Sequence, residues 1–248
     1  MARYTGYRSS RIFVSDYFPP GVKWLLIVNT AIFVVTFLCP FSVQRHIVVV
    51  LALSAQAAVR DLFVWQPVTY MFLHSTLRIS HLLFNMLTLW FFGVQLERDW
   101  GTRRFLKYYF YCGIAAAVCV LLVNMLLGDW GTITLGASGA IFGVLVAFGV
   151  MYPDQTVLMY FLVPIKAKYL VMIFVAVELL FTFGPNSGVS TIAHLGGAAF
   201  GFVYLKGRLP RLALPDVGGV YAQWKLRRAK KKFQIYMKKS GGRGPRVN

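Results

Sequence analysis

The strongest constraint on this chain is where its charges are missing. Trp24–Gln44, Ile79–Leu96, Tyr108–Gly128 and Trp130–Pro153 run for 21, 18, 21 and 24 residues without a Lys, Arg, Asp or Glu. Leu179–Leu205 adds 27 more, and Tyr169–Phe183 is interrupted only by Glu178. A helix crossing the hydrocarbon of a bilayer needs about 20 mostly apolar residues, and its backbone polar groups must all be satisfied within the segment. The runs predict an all-α membrane protein, a bundle of six transmembrane helices over 22–39, 80–96, 105–127, 137–151, 165–183 and 190–206. The shorter run His46–Val59 reads as an interfacial segment. The first run is too long for a secretory signal, and Cys39-Pro40-Phe41 is a poor cleavage site; it reads as a retained helix.

Composition agrees. Only 14% of the 248 residues are charged and 58% are hydrophobic, against about 25% charged in soluble domains. Disorder and a water-solvated fold are both excluded, and three cysteines (Cys39, Cys112, Cys119) make no disulfide framework. The net charge of +18 would point to nucleic acid in another chain. Here the 26 Lys and Arg sort by side. With the N-terminus inside, only Arg45, Arg60 and Arg78 fall outside, so the positive-inside rule places both termini in the cytoplasm.

Three parts follow: a cytoplasmic tail (1–21), a six-span domain (22–206) with a long external loop after its first helix, and a basic cytoplasmic tail (207–248). In Trp224–Lys239 eight of sixteen residues are basic. That stretch reads as a topology determinant, with anionic lipid as its possible partner. Nucleic acid is not expected, since no binding module accompanies the charge.

Polar groups inside spans are costly and mark sites of function. The second span opens with His81 and Asn85, four residues apart and so on one helix face. The fourth opens Gly136-Ala137-Ser138-Gly139, and the sixth carries His194 before Gly197 and Gly201. All three spans are entered from outside, so the three clusters share one depth. Individually each has an ordinary explanation: small-residue helix packing for the glycines, backbone bonding for a serine. Together, a hydroxyl and an imidazole beside a second His/Asn pair are the inventory of nucleophilic catalysis with an oxyanion site. Fifteen residues in the fourth span reach about 22 Å, short of a hydrocarbon core near 30 Å. Ser138 would therefore lie below the outer surface, in a cavity open to water. No His or Cys falls into ligand spacing, and neither metal nor other cofactor is expected.

With these residues the chain resembles the rhomboid family of intramembrane serine proteases. The resemblance rests on His81-x-x-x-Asn85, Gly136-x-Ser138-Gly139, Ala193-His194 with Gly197-x-x-x-Gly201, and the stretch Trp65–His74. It implies a serine endopeptidase that hydrolyses peptide bonds in or near transmembrane segments of membrane proteins. Ser138 would be nucleophile and His194 general base, then acid. His81, Asn85 and the Ser138 N–H would form the oxyanion hole, and Gly197 and Gly201 would let the fourth and sixth helices approach. Phe142, where many members carry tyrosine, would hold the imidazole by stacking; Asp129 or Glu178 is the alternative orienting group. The fifth helix would be a lateral gate, and Glu97 with Arg98 structural. A six-span form suits a prokaryotic inner membrane with the site opening outward. An inactive relative that binds single-span clients is the second reading, and oligomeric state is not readable.

Overall fold

The computed structural model describes residues 18–159, 163–182, 189–207 and Arg228. Residue contacts divide the chain into Met1–Arg208 and Leu209–Asn248; of the second unit only Arg228 is described, so the tail expectations lie outside the described residues.

Each expected span is helical: α1 (Pro20–Leu38), α3 (Ile79–Trp100), α4 (Thr102–Leu126), α5 (Ser138–Met151), α6 (Ala167–Thr182) and α7 (Val189–Leu205), with α2 (Phe41–Leu51) between the first two. Three of these, α1, α3 and α4, are long and apolar enough to cross a membrane. Large apolar side chains stand exposed around the bundle, among them Trp24, Phe84, Leu122 and Phe181. A protein in water rarely leaves so much apolar surface uncovered.

The helix boundaries have local causes. Pro20 opens α1, where its missing N–H costs nothing. The Glu97 carboxylate, near the end of α3 and almost fully buried, accepts from the N–H groups of Gly21 (2.7 Å) and Val22 (2.6 Å). A buried anion thereby satisfies the orphan donors of a helix start. Thr102 donates to the same carboxylate (2.6 Å), so Glu97 joins α1, α3 and α4. Gly101 turns the chain between α3 and α4 at φ 78°.

Helix α4 lies at the centre, burying Tyr108, Cys112, Ala116 and Val120 along one stripe. Against it packs α5, a helix of 14 residues and about 21 Å that is buried on nearly every side. Its sequence is apolar all round, as a helix without a solvent face requires. Glycine sets how closely α7 meets α5. A Cβ on Gly197 would overlap the carbonyl oxygen of Gly139, and one on Gly201 would collide with Tyr108 Oη and lie 3.1 Å from Gly143 Cα.

Two features differ from the sequence reading. The segment taken as interfacial splits into α2, which buries none of its side chains, and a single π-helical turn (Gln56–Arg60). Between α5 and α6 an antiparallel hairpin, β1 (Thr156–Met159) and β2 (Val163–Lys166), takes the first residues assigned to the fifth span. Asp154 beside it pairs with Lys166 (3.1 Å) and Lys168 (2.9 Å), which holds its carboxyl below the usual range.

Candidate active site

The loop between α1 and α3 acts as a scaffold for the segment that leads into α5. Leu53 and Thr134 exchange both backbone hydrogen bonds (2.9 and 2.8 Å), and the Gln56 N–H donates to the carbonyl of Trp130 (2.9 Å). Arg60 covers the Trp130 ring at 3.8 Å from its centroid. Further along, the Gly136 N–H donates to the Tyr70 carbonyl (3.0 Å), and the Tyr70 hydroxyl donates to the Gly113 carbonyl of α4 (2.7 Å). Gly136 sits at φ 124°, a conformation that side chains avoid, and a Cβ there would come within 2.9 Å of His81 Nε2. Glycine is thus required twice over, by the turn and by the imidazole on top of it.

Ser138 is the first residue of α5, and no side chain caps the helix start. The first-turn N–H groups, Ser138's own included, remain available at the positive end of the helix. His194, from α7, places Nε2 2.7 Å from Ser138 Oγ. With the ring proton on Nδ1, the serine hydroxyl donates to Nε2, the arrangement a base needs before it takes that proton. Phe142, one turn along α5 from Ser138, stacks flat on the imidazole with centroids 4.4 Å apart and planes 8° apart.

From α3, His81 and Asn85 line the same cavity as Ser138 and His194. Asn85 donates one N–H to the His81 carbonyl (2.9 Å), leaving its second amide hydrogen free. The cavity measures about 1440 Å³ and lies between α3 and α6, which scarcely touch. It follows α3 from His81 to Gln95, about 21 Å at 1.5 Å per residue. That is larger than the usual 300–1,000 Å³ of a small-molecule pocket and is elongated like a peptide.

The structure therefore brings Ser138, His194, His81, Asn85, Gly136 and Phe142 together, with Gly139, Gly197 and Gly201 in the α5–α7 contact. It separates the two candidate orienting carboxylates. Asp129 is held in its own turn by Thr132, first through that residue's hydroxyl and then through its N–H (3.0 Å), which lowers its pKa, and it makes no hydrogen bond or ion pair with His194 among the described residues. Glu178 instead stands 2.9 Å from His194 Nδ1.

One neighbour goes beyond the sequence expectation. His74, the last residue of the stretch Trp65–His74, is buried and tilts against His81 with ring centroids 5.2 Å apart. Neither ring nitrogen completes a hydrogen bond among the described residues. Burial, and then His81 alongside, push its pKa down to about 4, opposed only weakly by the Phe72 backbone. Its seven-residue spacing from His81 gives no hint of this, because the chain turns at Thr76 and Leu77 between them. No three His, Cys, Asp or Glu gather as a metal site among the described residues.

Comparison with known proteins places residues 62–211 in the Rhomboid domain. The chain is 26% identical over 201 residues to Rhomboid-like protease 3 of Toxoplasma gondii, covering 78% of this chain and 73% of that one. It is 29% identical over 138 residues to RHOMBOID-like protein 12, mitochondrial, of Arabidopsis thaliana, covering 50% and 41%. With Rhomboid protease GluP of Bacillus subtilis it shares 33% identity over 154 residues, covering 62% and 27%. The chain thus spans less than half the length of the last two.

Proposed function

The chain belongs to the rhomboid family, and from that footing we propose that it is an intramembrane serine endopeptidase acting by a Ser138–His194 dyad. The observation that carries the reading is the 2.7 Å contact between Ser138 Oγ and His194 Nε2 at the wall of an elongated apolar cleft.

A substrate segment lies in the cleft between α3 and α6 and presents an unwound carbonyl to Ser138. His194 Nε2 takes the hydroxyl proton as Oγ attacks the carbonyl carbon. The tetrahedral oxyanion is met by the Ser138 N–H, the free amide hydrogen of Asn85 and His81. Each such donor is worth about 10²–10³ in rate in enzymes of this chemistry. His194 then gives its proton to the leaving nitrogen, the peptide bond breaks, and an acyl-enzyme remains. Water entering from outside loses a proton to His194 as it attacks the ester, and collapse returns Ser138 to its hydroxyl form.

The bilayer setting is read as six spans with both termini inside, the external loop after α1 propping the site. The distribution of Lys and Arg supports it. The compartment proposed is a prokaryotic inner membrane, with the site opening outward. The domain boundaries proposed remain 22–206 for the catalytic part and 207–248 for a basic tail meeting anionic lipid.

The test is cleavage of a single-span reporter by the full chain in liposomes. Wild type is expected to cut, while Ser138→Ala inserts, folds and does not. Equal rates in the two would overturn the proposal. Stable capture of intact client by both would favour an inactive, client-binding relative.

A further inference from the structure

Resting on the dyad reading above, we propose that Glu178 is a positioning residue: its carboxylate orients His194 through Nδ1 and balances the charge the imidazole acquires in the reaction. The sequence offers Glu178 only as one of two alternatives to stacking on Phe142; the register of α6 is what singles it out.

Helix α6 is apolar on all sides, yet only one face meets the bundle. Ala167 and Leu170 are buried, and Val171, Phe174, Val175, Glu178 and Thr182 continue the same stripe as half-buried residues. Steps of three and four along a helix keep to one face. Glu178 therefore points inward, while Val177, Leu179 and Leu180 on either side of it are exposed. An ionised side chain in a span that turns away from lipid needs a partner.

That partner is His194. Glu178 Oε1 is 2.9 Å from Nδ1, with both side chains less than a fifth exposed. The approach lies off the N–H axis, so the contact is short without being an aligned hydrogen bond, and Nδ1 makes no hydrogen bond to any other group among the described residues. Catalytic contacts in empty sites are often misaligned in this way and tighten around substrate. Among the described residues, the other polar side chains beside the pair include Ser138 on α5 and His81 on α3, and neither is a carboxylate. Every other described carboxylate is engaged elsewhere. Glu97 holds the start of α1, Asp99 accepts from the Tyr152 hydroxyl and Asp154 pairs with two lysines. Asp61 accepts from the Gln56 amide, and Asp129 from Thr132.

The chemistry requires something at this place. Nucleophilic attack leaves His194 protonated on both nitrogens with its side chain less than a fifth exposed, where an uncompensated charge is expensive. A carboxylate at Nδ1 keeps the ring proton on that nitrogen in the resting state, so that Nε2 is free to accept from Ser138. It then offsets the imidazolium as it forms.

The experiment compares wild type, Glu178→Gln, Glu178→Asp and Glu178→Leu in full-length, liposome-reconstituted protein, with Ser138→Ala as the blank. Gln keeps the shape and loses the charge. The expected result is a kcat lower by about 10- to 100-fold in Glu178→Gln with KM unchanged, less than the ~10⁴ lost with an aligned, fully buried carboxylate. Labelling of Ser138 by a fluorophosphonate slows by the same factor. Asp recovers part of the rate, and the ¹⁵N resonances of His194 shift toward a mixture of tautomers in Glu178→Gln. Wild-type kcat in both Gln and Leu variants would make Glu178 a packing residue and overturn the inference, while leaving the dyad intact. If wild type itself cuts no better than Ser138→Ala, the protease reading fails separately. The ¹⁵N spectra then decide: unchanged His194 resonances in Glu178→Gln would overturn the pairing.

Discussion

A single methyl group at Gly197 should silence the proposed protease activity without unfolding the protein. Gly197 of α7 faces Gly139 of α5 backbone to backbone. An added Cβ would overlap the Gly139 carbonyl oxygen and stand 2.7 Å from its carbon. Neither obstacle is a side chain that could rotate away, so the two helices must separate by more than about 1 Å before ordinary van der Waals contact returns. Ser138 precedes Gly139 and His194 lies one turn before Gly197, so most of that separation falls on the pair. Their 2.7 Å contact would open beyond hydrogen-bond range. A misplacement of about 1 Å at reacting groups costs roughly 10²-fold in rate, and overpacking of this kind costs about 1–3 kcal/mol of stability. In Gly197→Ala, kcat for a single-span reporter in liposomes should therefore fall about 100-fold. KM should change little, because Gly197 is not among the residues that line the cleft. Gly131→Ala, where an added Cβ meets nothing within 4 Å, is the control and should behave as wild type. A folded Gly197→Ala protein with a kcat within threefold of wild type would refute the idea that this contact sets the Ser138–His194 distance.

Two further predictions concern stability. Glu97→Gln leaves one neutral oxygen where a carboxylate now accepts three hydrogen bonds; at about 1.5–3 kcal/mol for a charged bond, the loss should be about 2–4 kcal/mol. An unchanged midpoint of thermal unfolding in detergent would contradict it. His74 is neutral when folded, with a pKa near 4, and about 6.5 when released. Protons therefore favour the opened loop, and stability falls as pH drops from about 6.5 to about 4, by up to about 3 kcal/mol. Hydrogen exchange around residues 70–78 should show this slope in wild type and not in His74→Leu; equal slopes in both would rule it out.

Much of this was legible in the sequence because a bilayer makes polar groups countable. His81, Asn85, Ser138 and His194 stood out from apolar runs, and entry from one side placed them at one depth. Gly197 and Gly201 marked the close approach of α5 and α7 in the same way. What stayed hidden needs knowledge of contacts between surfaces. The hairpin of β1 and β2 follows Asp154 and ends on Lys166, whose charges mark a break in the apolar text without saying that it is extended rather than helical. His74 reaches His81 through a turn, so no helical spacing reveals the contact.

Glu178 is the instructive case. In a water-soluble helix, the polar residues around a glutamate would say which way it faces. The run Tyr169–Phe183 offers no such contrast, since every other residue in it is uncharged and nearly all are apolar. A lone carboxylate in it could equally serve a lumen, a neighbour or a lipid interface. Only the burial stripe through Val171, Phe174 and Val175 resolves the direction, and only the depth of α7 beside it supplies His194. The information was thus present in the chain, but as a relation between two helices rather than within either. The same holds for Gly136, whose need for glycine comes as much from the His81 ring above it as from its own φ. Both residues serve their neighbours, whereas Ser138 and His194 are polar groups set in apolar runs, which is why the proposed dyad is easier to find in the sequence than the groups that aim it.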